Sequence, residues 1–366
     1  MRDSALRIEK ITARAFTIPT DAPESDGTIA WTSTTLVVAN VEAAGACGFG
    51  FTYGSPACAQ LISGALAAAI GGHDPMNVEA CWRSATAAVR NVGWPGVAAC
   101  AISALDIALW DLKAKLLGIP VSELLGSFRA SVPVYGSGGF TSYSDRQLTR
   151  QLEGWANQGC RFVKMKVGRE PERDSERVRI ARETIGDRIL FVDANGAYSV
   201  RQAINLAQQF ARYGVEWFEE PVSSDDLDGL RFVREHVPPS MSVAAGEYGY
   251  TPTYFRTMLQ AGAIDVLQAD ATRCGGITGF LRAAALCDAY CQPLSSHCAP
   301  SAHRDVAAAV PRIVHMEWFH DHVRIEQMLL EGAARIEGGL VAPNRSIPGN
   351  GLSLRTEAAA EFEVPQ

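Results

Sequence analysis

The stretch FVKMKVG at residues 162–168 decides the fold prediction, because it begins a unit that the chain repeats. Val163, Met165 and Val167 alternate with Lys164 and Lys166, and such alternation of apolar and polar residues is typical of a β-strand. A polar loop follows, then the amphipathic segment Glu172–Ile185 with apolar residues at i, i+3 and i+4, then the apolar run Ile189–Asp193. From Val132 onward, this unit of strand, loop and helix recurs at intervals of roughly 25 residues.

The repeat predicts eight strands and a set of intervening helices. The strands are Val132–Ser137, Phe162–Val167, Ile189–Asp193, Val215–Glu219, Ser242–Glu247, Val266–Asp270, Pro293–His297 and Val314–Trp318. The helices are Asp145–Asn157, Glu172–Ile185, Val200–Tyr213, Thr253–Ala261 and Thr278–Tyr290. Alternation of helices with mostly apolar strands indicates an α/β fold with a parallel sheet covered by helices, and eight strands suggest a closed barrel. We expect the helix after the last strand to be missing or atypical.

The first part of the chain has a different pattern. Ile8–Ile18, Thr34–Val41 and Gly48–Tyr53 predict strands, and helices follow near residues 57–70, 77–90 and 96–117. We therefore expect an α+β N-terminal domain at residues 1–130, a barrel at 131–325, and a C-terminal segment at 326–366 that packs back on the N-terminal domain. Gly-Gly, Pro-Asn and Pro-Gly-Asn-Gly turns predict β-like structure in residues 334–354 of that segment.

Composition excludes several classes of function. The net charge of −7 and a pI near 5.6 argue against a nucleic-acid partner, which requires a basic surface. The N-terminus lacks the apolar run of a signal peptide, and the longest apolar stretch, Val97–Trp110, is shorter than the ~20 residues that span a bilayer. Nine cysteines occur without metal-binding spacing. We expect a soluble cytoplasmic protein with no membrane partner.

Seven consecutive predicted strands, the second to the eighth, carry ionisable residues toward the same edge. These residues are Lys164 and Lys166, Asp193, Glu219 and Glu220, Glu247, Asp270, His297, and Glu317. In a parallel barrel, the active site lies at the carboxyl ends of the strands. The sequence therefore predicts an active site at this edge.

Three carboxylates, Asp193, Glu219 and Glu247, come from adjacent strands. Like charges that converge repel one another unless a cation joins them, and hard oxygen ligands favour Mg²⁺. The alternative is three separate salt bridges. Glu220 should point away because strand side chains alternate, and we expect it to have a supporting role. Asn195 either hydrogen-bonds substrate or metal-bound water, or forms a simple Asn-Gly turn.

Lys164 and Lys166 are two residues apart on a strand, so their side chains share one face. Their mutual repulsion should lower the pKa of at least one of them. We predict that Lys166 is the base and that Lys164 binds a substrate carboxylate. Alternatively, both ammonium groups are simply paired with neighbouring acids.

His297 and Asp270 lie on neighbouring predicted strands. A carboxylate in that position accepts the imidazole N–H and fixes the tautomer, so the two residues predict a catalytic dyad. Glu317 is expected to be a protonated acid that donates a hydrogen bond to a developing enolate. Lys166 and His297 would then take a proton from opposite faces of a carbon acid.

These motifs resemble those of the enolase superfamily, and within it the mandelate racemase subgroup. The matching motifs are Lys164-Met-Lys166, Val192-Asp193-Ala-Asn195, Trp217-Phe-Glu219-Glu-Pro221, Gly246-Glu247, Asp270 with Gly275-Gly-Ile-Thr278, Ser296-His297, and Glu317. The resemblance covers essentially the whole chain. It implies a capping domain on a modified TIM barrel of the (β/α)7β kind, Mg²⁺ on Asp193, Glu219 and Glu247, and Lys166 with the His297–Asp270 dyad as acid and base.

The resemblance also implies the reaction class. Many members dehydrate sugar acids to 2-keto-3-deoxy acids, others are racemases or epimerases, and the family often forms homo-oligomers. We expect a small carboxylic acid as substrate, selected by capping-domain loops near residues 20–33 and 49–55. Trp31 and Tyr53 from these loops, with Asn195, are the expected substrate contacts.

Two other classes of protein agree less well with the sequence. A hydrolytic metal barrel of the amidohydrolase kind should carry His-x-His on its first strand, and Val132–Ser137 contains no histidine. A non-catalytic metal-binding barrel would tolerate loss of a base, whereas the complete set of bases is present here.

Overall fold

The structure, a computed structural model, describes residues 6–365 and begins with a three-stranded antiparallel sheet. Its strands are β1 (Lys10–Ser25), β2 (Ala30–Ala43) and β3 (Ala46–Tyr53). The helices that follow are α1 (Ala57–Leu61), a π-helical turn (Ile62–Leu66), α2 (Ala67–Ile70), α3 (Val78–Ala88), α4 (Val97–Leu117) and α5 (Val121–Leu125). None of the helices described within residues 6–365 has the length and apolarity to cross a membrane.

Eight parallel strands form a closed barrel, because the last of them pairs with the first. The strands are β4 (Val132–Gly138), β5 (Phe162–Lys166), β6 (Ile189–Asp193), β7 (Val215–Glu219), β8 (Ser242–Ala245), β9 (Val266–Ala269), β10 (Leu294–Ser296) and β11 (Ile313–Phe319). The helices are α6 (Asp145–Asn157), α7 (Pro171–Ile185), α8 (Val200–Ala211), α9 (Leu227–His236), α10 (Pro252–Gln260), α11 (Gly276–Ala289), α12 (Pro300–Ala309) and α13 (His320–Leu329). The predicted α/β modified TIM barrel with its antiparallel N-terminal cap is confirmed.

The predicted barrel helices are present within a few residues of their expected ends, and three further helices accompany them. Leu227–His236 is short and contains a glycine, and Pro300–Ala309 is alanine-rich, so both lack a long amphipathic repeat. His320–Leu329 occupies the position where a helix was expected to be missing or atypical. It leads directly into β12 (Leu330–Glu331).

The C-terminal segment contacts both the barrel and the capping sheet. β13 (Leu340–Val341) pairs with β4, and β14 (Ser353–Leu354) pairs with β12. The chain then forms α14 (Thr356–Ala359) and a 3₁₀ turn (Ala360–Phe362), and Glu363 forms an ion pair of 2.6 Å with Arg14. Residues 334–354 are mostly irregular loop, so the β-like prediction holds only for two short strands.

The expected loop at residues 20–33 is instead the end of a hairpin. β1 extends to Ser25 and β2 begins at Ala30, and only the turn between them lacks strand structure. The Asp26 carboxylate closes this turn by accepting hydrogen bonds from the backbone N–H groups of Thr28 at 2.6 Å and Ile29 at 2.8 Å. The aspartate side chain thus gives hydrogen-bond acceptors to N–H groups of the turn that have no strand partner.

The capping sheet packs on α4 through glycines of β3. A Cβ atom at Gly50 would lie 2.1 Å from the carbonyl oxygen of Ala104, and one at Gly48 would lie 2.1 Å from that of Ala108. Both neighbours are backbone atoms of a buried helix and have no room to move. Glycine is therefore required here by the close approach of helix and strand.

We predict that Gly50→Ala destabilises the protein by about 1–3 kcal/mol, because the added methyl group overpacks the contact with α4. Chemical denaturation monitored by circular dichroism measures the effect. Gly64→Ala is the matched control, since a Cβ atom at that exposed helical position meets nothing within 4 Å. Equal stability of the two variants would contradict the packing argument.

Candidate active site

The three predicted metal ligands converge at the carboxyl edge of the barrel. Asp193 ends β6 beside Glu219 at the end of β7, and Glu247 follows the end of β8 by two residues. One carboxylate oxygen from each residue lies within 4.8 Å of the others. All three side chains are buried. We refer to Asp193, Glu219 and Glu247 as the acidic trio.

The chemistry of the acidic trio fits a divalent cation. Burial and the neighbouring charge of Asp193 raise the pKa of Glu219 to about 8, which reflects carboxylates held close together in a poorly solvated place. Among the described residues, Glu247 Oε2 has no hydrogen-bond partner, and it lies 3.3 Å from His297 Nε2 without hydrogen-bond geometry. Three oxygen donors with a buried lone pair to spare are the ligand type preferred by Mg²⁺.

Both lysines make direct ion pairs with these acids. Lys164 Nζ lies 2.6 Å from Glu219 Oε1 and 2.8 Å from Glu317 Oε1, and Lys166 Nζ lies 2.5 Å from Asp193 Oδ2. Burial lowers the pKa of each lysine, but the carboxylates outweigh burial and the net pKa of both is raised. The expected lowering by mutual repulsion is therefore wrong for this arrangement, because acids surround both ammonium groups.

The His297–Asp270 pair has the predicted geometry. His297 Nδ1 lies 2.9 Å from Asp270 Oδ2, and Asp270 Oδ1 accepts hydrogen bonds of 2.7 Å from both the N–H and the hydroxyl of Thr272. The carboxylate is therefore fixed, and it orients the imidazole so that Nε2 faces the acidic trio. Both side chains are buried.

The surroundings of His297 favour its charged form. Burial lowers the pKa of His297, whereas Cys298, Glu247 and the hydrogen bond to Asp270 raise it, and the net pKa is raised. Burial raises the pKa of Cys298 to about 12, so its thiol is neutral near pH 7. The carboxylates therefore determine the charge state of His297 in this pH range.

Glu317 is a carboxylate in this structure and not the protonated acid that we expected. Burial raises its pKa, but the ammonium group of Lys164 and the nearby His297 outweigh burial, and the net pKa is lowered. Its oxygens accept hydrogen bonds from Ser137 Oγ at 2.6 Å and from the Cys298 N–H at 2.7 Å. The expected protonated state of Glu317 is wrong because the sequence does not show that Lys164 contacts Glu317 across the closed barrel.

Glu220 does not join the acidic trio, as expected, but it lies just past the end of β7, so the alternation of strand side chains is not the reason. Its backbone has a φ of 38°, and its side chain lines a separate cavity of about 780 Å³. Asn195 has a φ of 46°, and its N–H donates to Asp193 Oδ1 at 2.9 Å. Asn195 thus forms a turn and also reaches both cavities, so the two expectations for it are compatible.

A cavity of about 410 Å³ lies between the capping domain and the barrel mouth. Lys166, His297, Glu247 and Glu317 line it from the barrel side. The three expected substrate contacts, Trp31, Tyr53 and Asn195, also line it. Lys164 is fully buried between Glu219 and Glu317 and is not part of the wall.

Sequence reasoning missed several residues of this wall, among them Arg273 and His322. Arg273 follows Asp270 by three residues, and that position in a loop at the same barrel edge was a usable signal. His322 stacks on Tyr53 with ring centroids 3.5 Å apart, and burial lowers its pKa to about 3, so it is neutral near pH 7. No signal indicated His322, because it lies in the helix that we expected to be missing or atypical.

Family models match most of the chain. Residues 147–359 match the model for enolase C-terminal domain-like proteins, and residues 10–126 match the N-terminal domain of mandelate racemase and muconate lactonizing enzyme. The chain belongs to this family and is a lyase or isomerase of the enolase superfamily.

Individual relatives span nearly the full length of the chain. A mandelate racemase/muconate lactonizing enzyme-like protein from Rubrobacter xylanophilus has 49% identity and a TM-score of 0.96, and the match covers 98% of this chain and 100% of that one. The 3,6-anhydro-alpha-L-galactonate cycloisomerase of Streptomyces coelicolor is 33% identical over 98% of this chain and 99% of its own. The L-talarate/galactarate dehydratase of Salmonella typhimurium, solved with Mg and L-lyxarohydroxamate, has 27% identity and a TM-score of 0.89, with 99% and 94% coverage.

We predict that Glu219→Gln weakens Mg²⁺ binding at least tenfold, because it removes one charged oxygen ligand from the acidic trio. Isothermal titration calorimetry measures the affinity. Glu216→Gln is the matched control, since Glu216 lies on the same strand with its side chain exposed. Unchanged Mg²⁺ affinity in Glu219→Gln would show that the ion does not bind at the trio.

Proposed function

We propose that this chain removes the proton α to the carboxylate of a sugar acid with the help of Mg²⁺. The product of that step is an enediolate. Loss of the β-hydroxyl group as water, with a proton from a general acid, would then give an enol that tautomerises to a 2-keto-3-deoxy acid. The observation that carries the proposal is the position of two bases on one cavity. Lys166 at the end of β5 and His297 after β10 both line the cavity of about 410 Å³, beside Glu247 of the acidic trio.

The energetic problem of this reaction is the charge that develops on the substrate. A proton next to a carboxylate is weakly acidic, and its removal creates a second negative charge. A Mg²⁺ ion held by the trio would stabilise that charge. The lysine ammonium groups, which lie within 2.8 Å of trio or Glu317 oxygens, add positive charge in a place from which water is largely excluded.

Lys166 and His297 would each carry out one of the proton transfers. Lys166 would act on one face of the α-carbon, and its amine could accept a proton only once Asp193 serves as a metal ligand and no longer holds the ammonium form. His297 Nε2 would act on the other face, with Asp270 holding the ring. In a dehydration, a protonated His297 would deliver its proton to the departing β-hydroxyl group. Lys164 contributes positive charge from behind the cavity wall. For its ammonium group to contact the substrate carboxylate directly, it would have to break its ion pair with Glu219 or Glu317.

A racemase or epimerase is the second candidate, because the same two bases permit return of the proton on the opposite face. Relatives named as cycloisomerase and dehydratase match the chain at similar identity, so similarity does not decide between the outcomes. The wall of the cavity combines Asn195, Arg273 and threonine hydroxyls with aromatic rings. This mixture suits a small hydroxy acid with several hydroxyl groups.

We predict that incubation with a panel of sugar acids and Mg²⁺ in D₂O introduces deuterium at the α-carbon of the substrate. NMR and mass spectrometry would follow both the exchange and the product, and a 2-keto-3-deoxy acid identifies dehydration, whereas an epimer identifies racemase chemistry. Lys166→Ala and His297→Asn should each abolish transfer on one face, because each removes one base. Absence of exchange for every acid tested in the Mg²⁺-loaded protein would contradict the proposed reaction.

We predict that Asp270→Asn lowers kcat at least about a hundredfold while leaving Mg²⁺ affinity unchanged. The asparagine amide keeps the oxygen that Thr272 contacts, but its NH₂ group takes the place of the oxygen that accepts from His297 Nδ1. The imidazole is then no longer held in the tautomer that carries its proton on Nδ1. Asp288→Asn is the control, since this acid pairs with Arg312 on the exposed surface. A kcat close to that of the wild type would show that the His297–Asp270 pair is not needed for the reaction.

A further inference from the structure

A second cluster of metal-binding residue types lies outside the active-site cavity. Asp21 and Glu24 come from the end of β1 in the capping hairpin, and His320 is the first residue of α13 on the barrel. One carboxylate oxygen from each acid and a ring nitrogen of His320 lie within 4.8 Å of one another. We refer to these three residues as the hairpin cluster.

Glu24 is the unusual member of the hairpin cluster. It is only 1% exposed, and its Oε2 accepts a hydrogen bond of 2.8 Å from Trp31 Nε1. In the part of the chain from residue 6 to residue 365, its buried Oε1 has no hydrogen-bond partner. A buried carboxylate oxygen without a partner is costly, so this atom is suited to accept a cation or a proton.

Nearby charges do not neutralise Glu24. Burial, followed by the charges of Asp321 and Asp21, raises the pKa of Glu24 to about 9. Arg324, whose charge acts in the opposite direction, donates its hydrogen bonds to Asp321 Oδ1 and to the carbonyl oxygen of Pro19, each at 2.7 Å. Near pH 7 Glu24 therefore keeps its proton, and a metal ion that binds there has to displace it.

We propose that Asp21, Glu24 and His320 bind a divalent transition-metal ion such as Zn²⁺. His320 Nε2 already lies 3.0 Å from Asp21 Oδ2 and 3.2 Å from Oδ1, and Glu24 adds a second carboxylate within 4.8 Å, of which Oε1 has no partner among the described residues. One imidazole with two carboxylates suits Zn²⁺ better than Mg²⁺, which prefers oxygen ligands alone. Asp21 is exposed, so water can complete the coordination.

Such an ion would fasten the capping hairpin to the barrel. Two of its ligands belong to β1, the third belongs to α13, and Glu24 also holds the indole of Trp31, which lines the active-site cavity. Metal binding would therefore fix the position of Trp31 over the barrel mouth. This site is distinct from the acidic trio, and the inference does not depend on the proposed reaction.

Equilibrium dialysis against Zn²⁺ in the presence of excess Mg²⁺ tests the proposal. We predict that His320→Ala and Glu24→Gln each lose one zinc ion per chain relative to wild type, or bind it at least tenfold more weakly. His236→Ala should keep the ion, because His236 is an exposed histidine on α9. Asp193→Asn, which disrupts the acidic trio, should also keep it. Circular dichroism checks that each variant is folded.

Hydrogen–deuterium exchange gives an independent readout of the same site. Zn²⁺ should slow exchange in residues 20–33 of the wild-type protein and have no such effect in His320→Ala. Equal zinc stoichiometry in wild type and His320→Ala would overturn the proposal. Loss of the zinc ion in Asp193→Asn but not in His320→Ala would also overturn it, because the ion would then belong to the trio.

Discussion

The buried charge at the carboxyl ends of β5 to β8 is the constraint on which the rest of the structure depends. Asp193, Glu219 and Glu247 face one another in a space where water cannot separate them. Lys164 neutralises part of their charge at 2.6 Å from Glu219, and Lys166 does so at 2.5 Å from Asp193. Charges can be buried in this way only if each has partners in fixed positions. The closed barrel provides such positions, because its hydrogen-bonded strands cannot shift independently.

A layer of aromatic rings beneath these charges keeps them out of water. Phe191 stacks on Trp217 with ring centroids 5.0 Å apart, and Tyr135 packs against both inside the barrel. The layer also contacts the charges directly, since Trp217 Nε1 donates to Glu219 Oε2 at 3.0 Å and Lys164 Nζ lies 5.2 Å from the centre of the Tyr135 ring. Low polarity below the site strengthens every electrostatic interaction above it.

The capping domain completes the site from the other side. Its hairpin contributes Trp31 and its third strand contributes Tyr53, so the cavity has a barrel face with the charges and a capping face with aromatic rings. Close packing of β3 on α4 at Gly48 and Gly50 holds the capping sheet together. Asp106 of α4 then accepts hydrogen bonds from Thr278 at the start of α11, which joins the capping domain to the barrel.

The residue pattern alone was enough to predict the barrel, the acidic trio and the His297–Asp270 pair. Side chains alternate along a strand, and parallel strands end at one edge, so the last residues of neighbouring strands must meet. Local patterns carry that information without knowledge of the whole fold.

The charge states of the buried groups and the composition of the cavity wall became evident only in the folded molecule. Lys164 contacts Glu317 because β11 closes onto β4, and this contact makes Glu317 a carboxylate and raises the pKa of Lys164. His322 reaches Tyr53 across the junction of barrel and capping domain. Electrostatic energies depend on distance and burial between residues far apart in the chain, and no local pattern encodes either quantity.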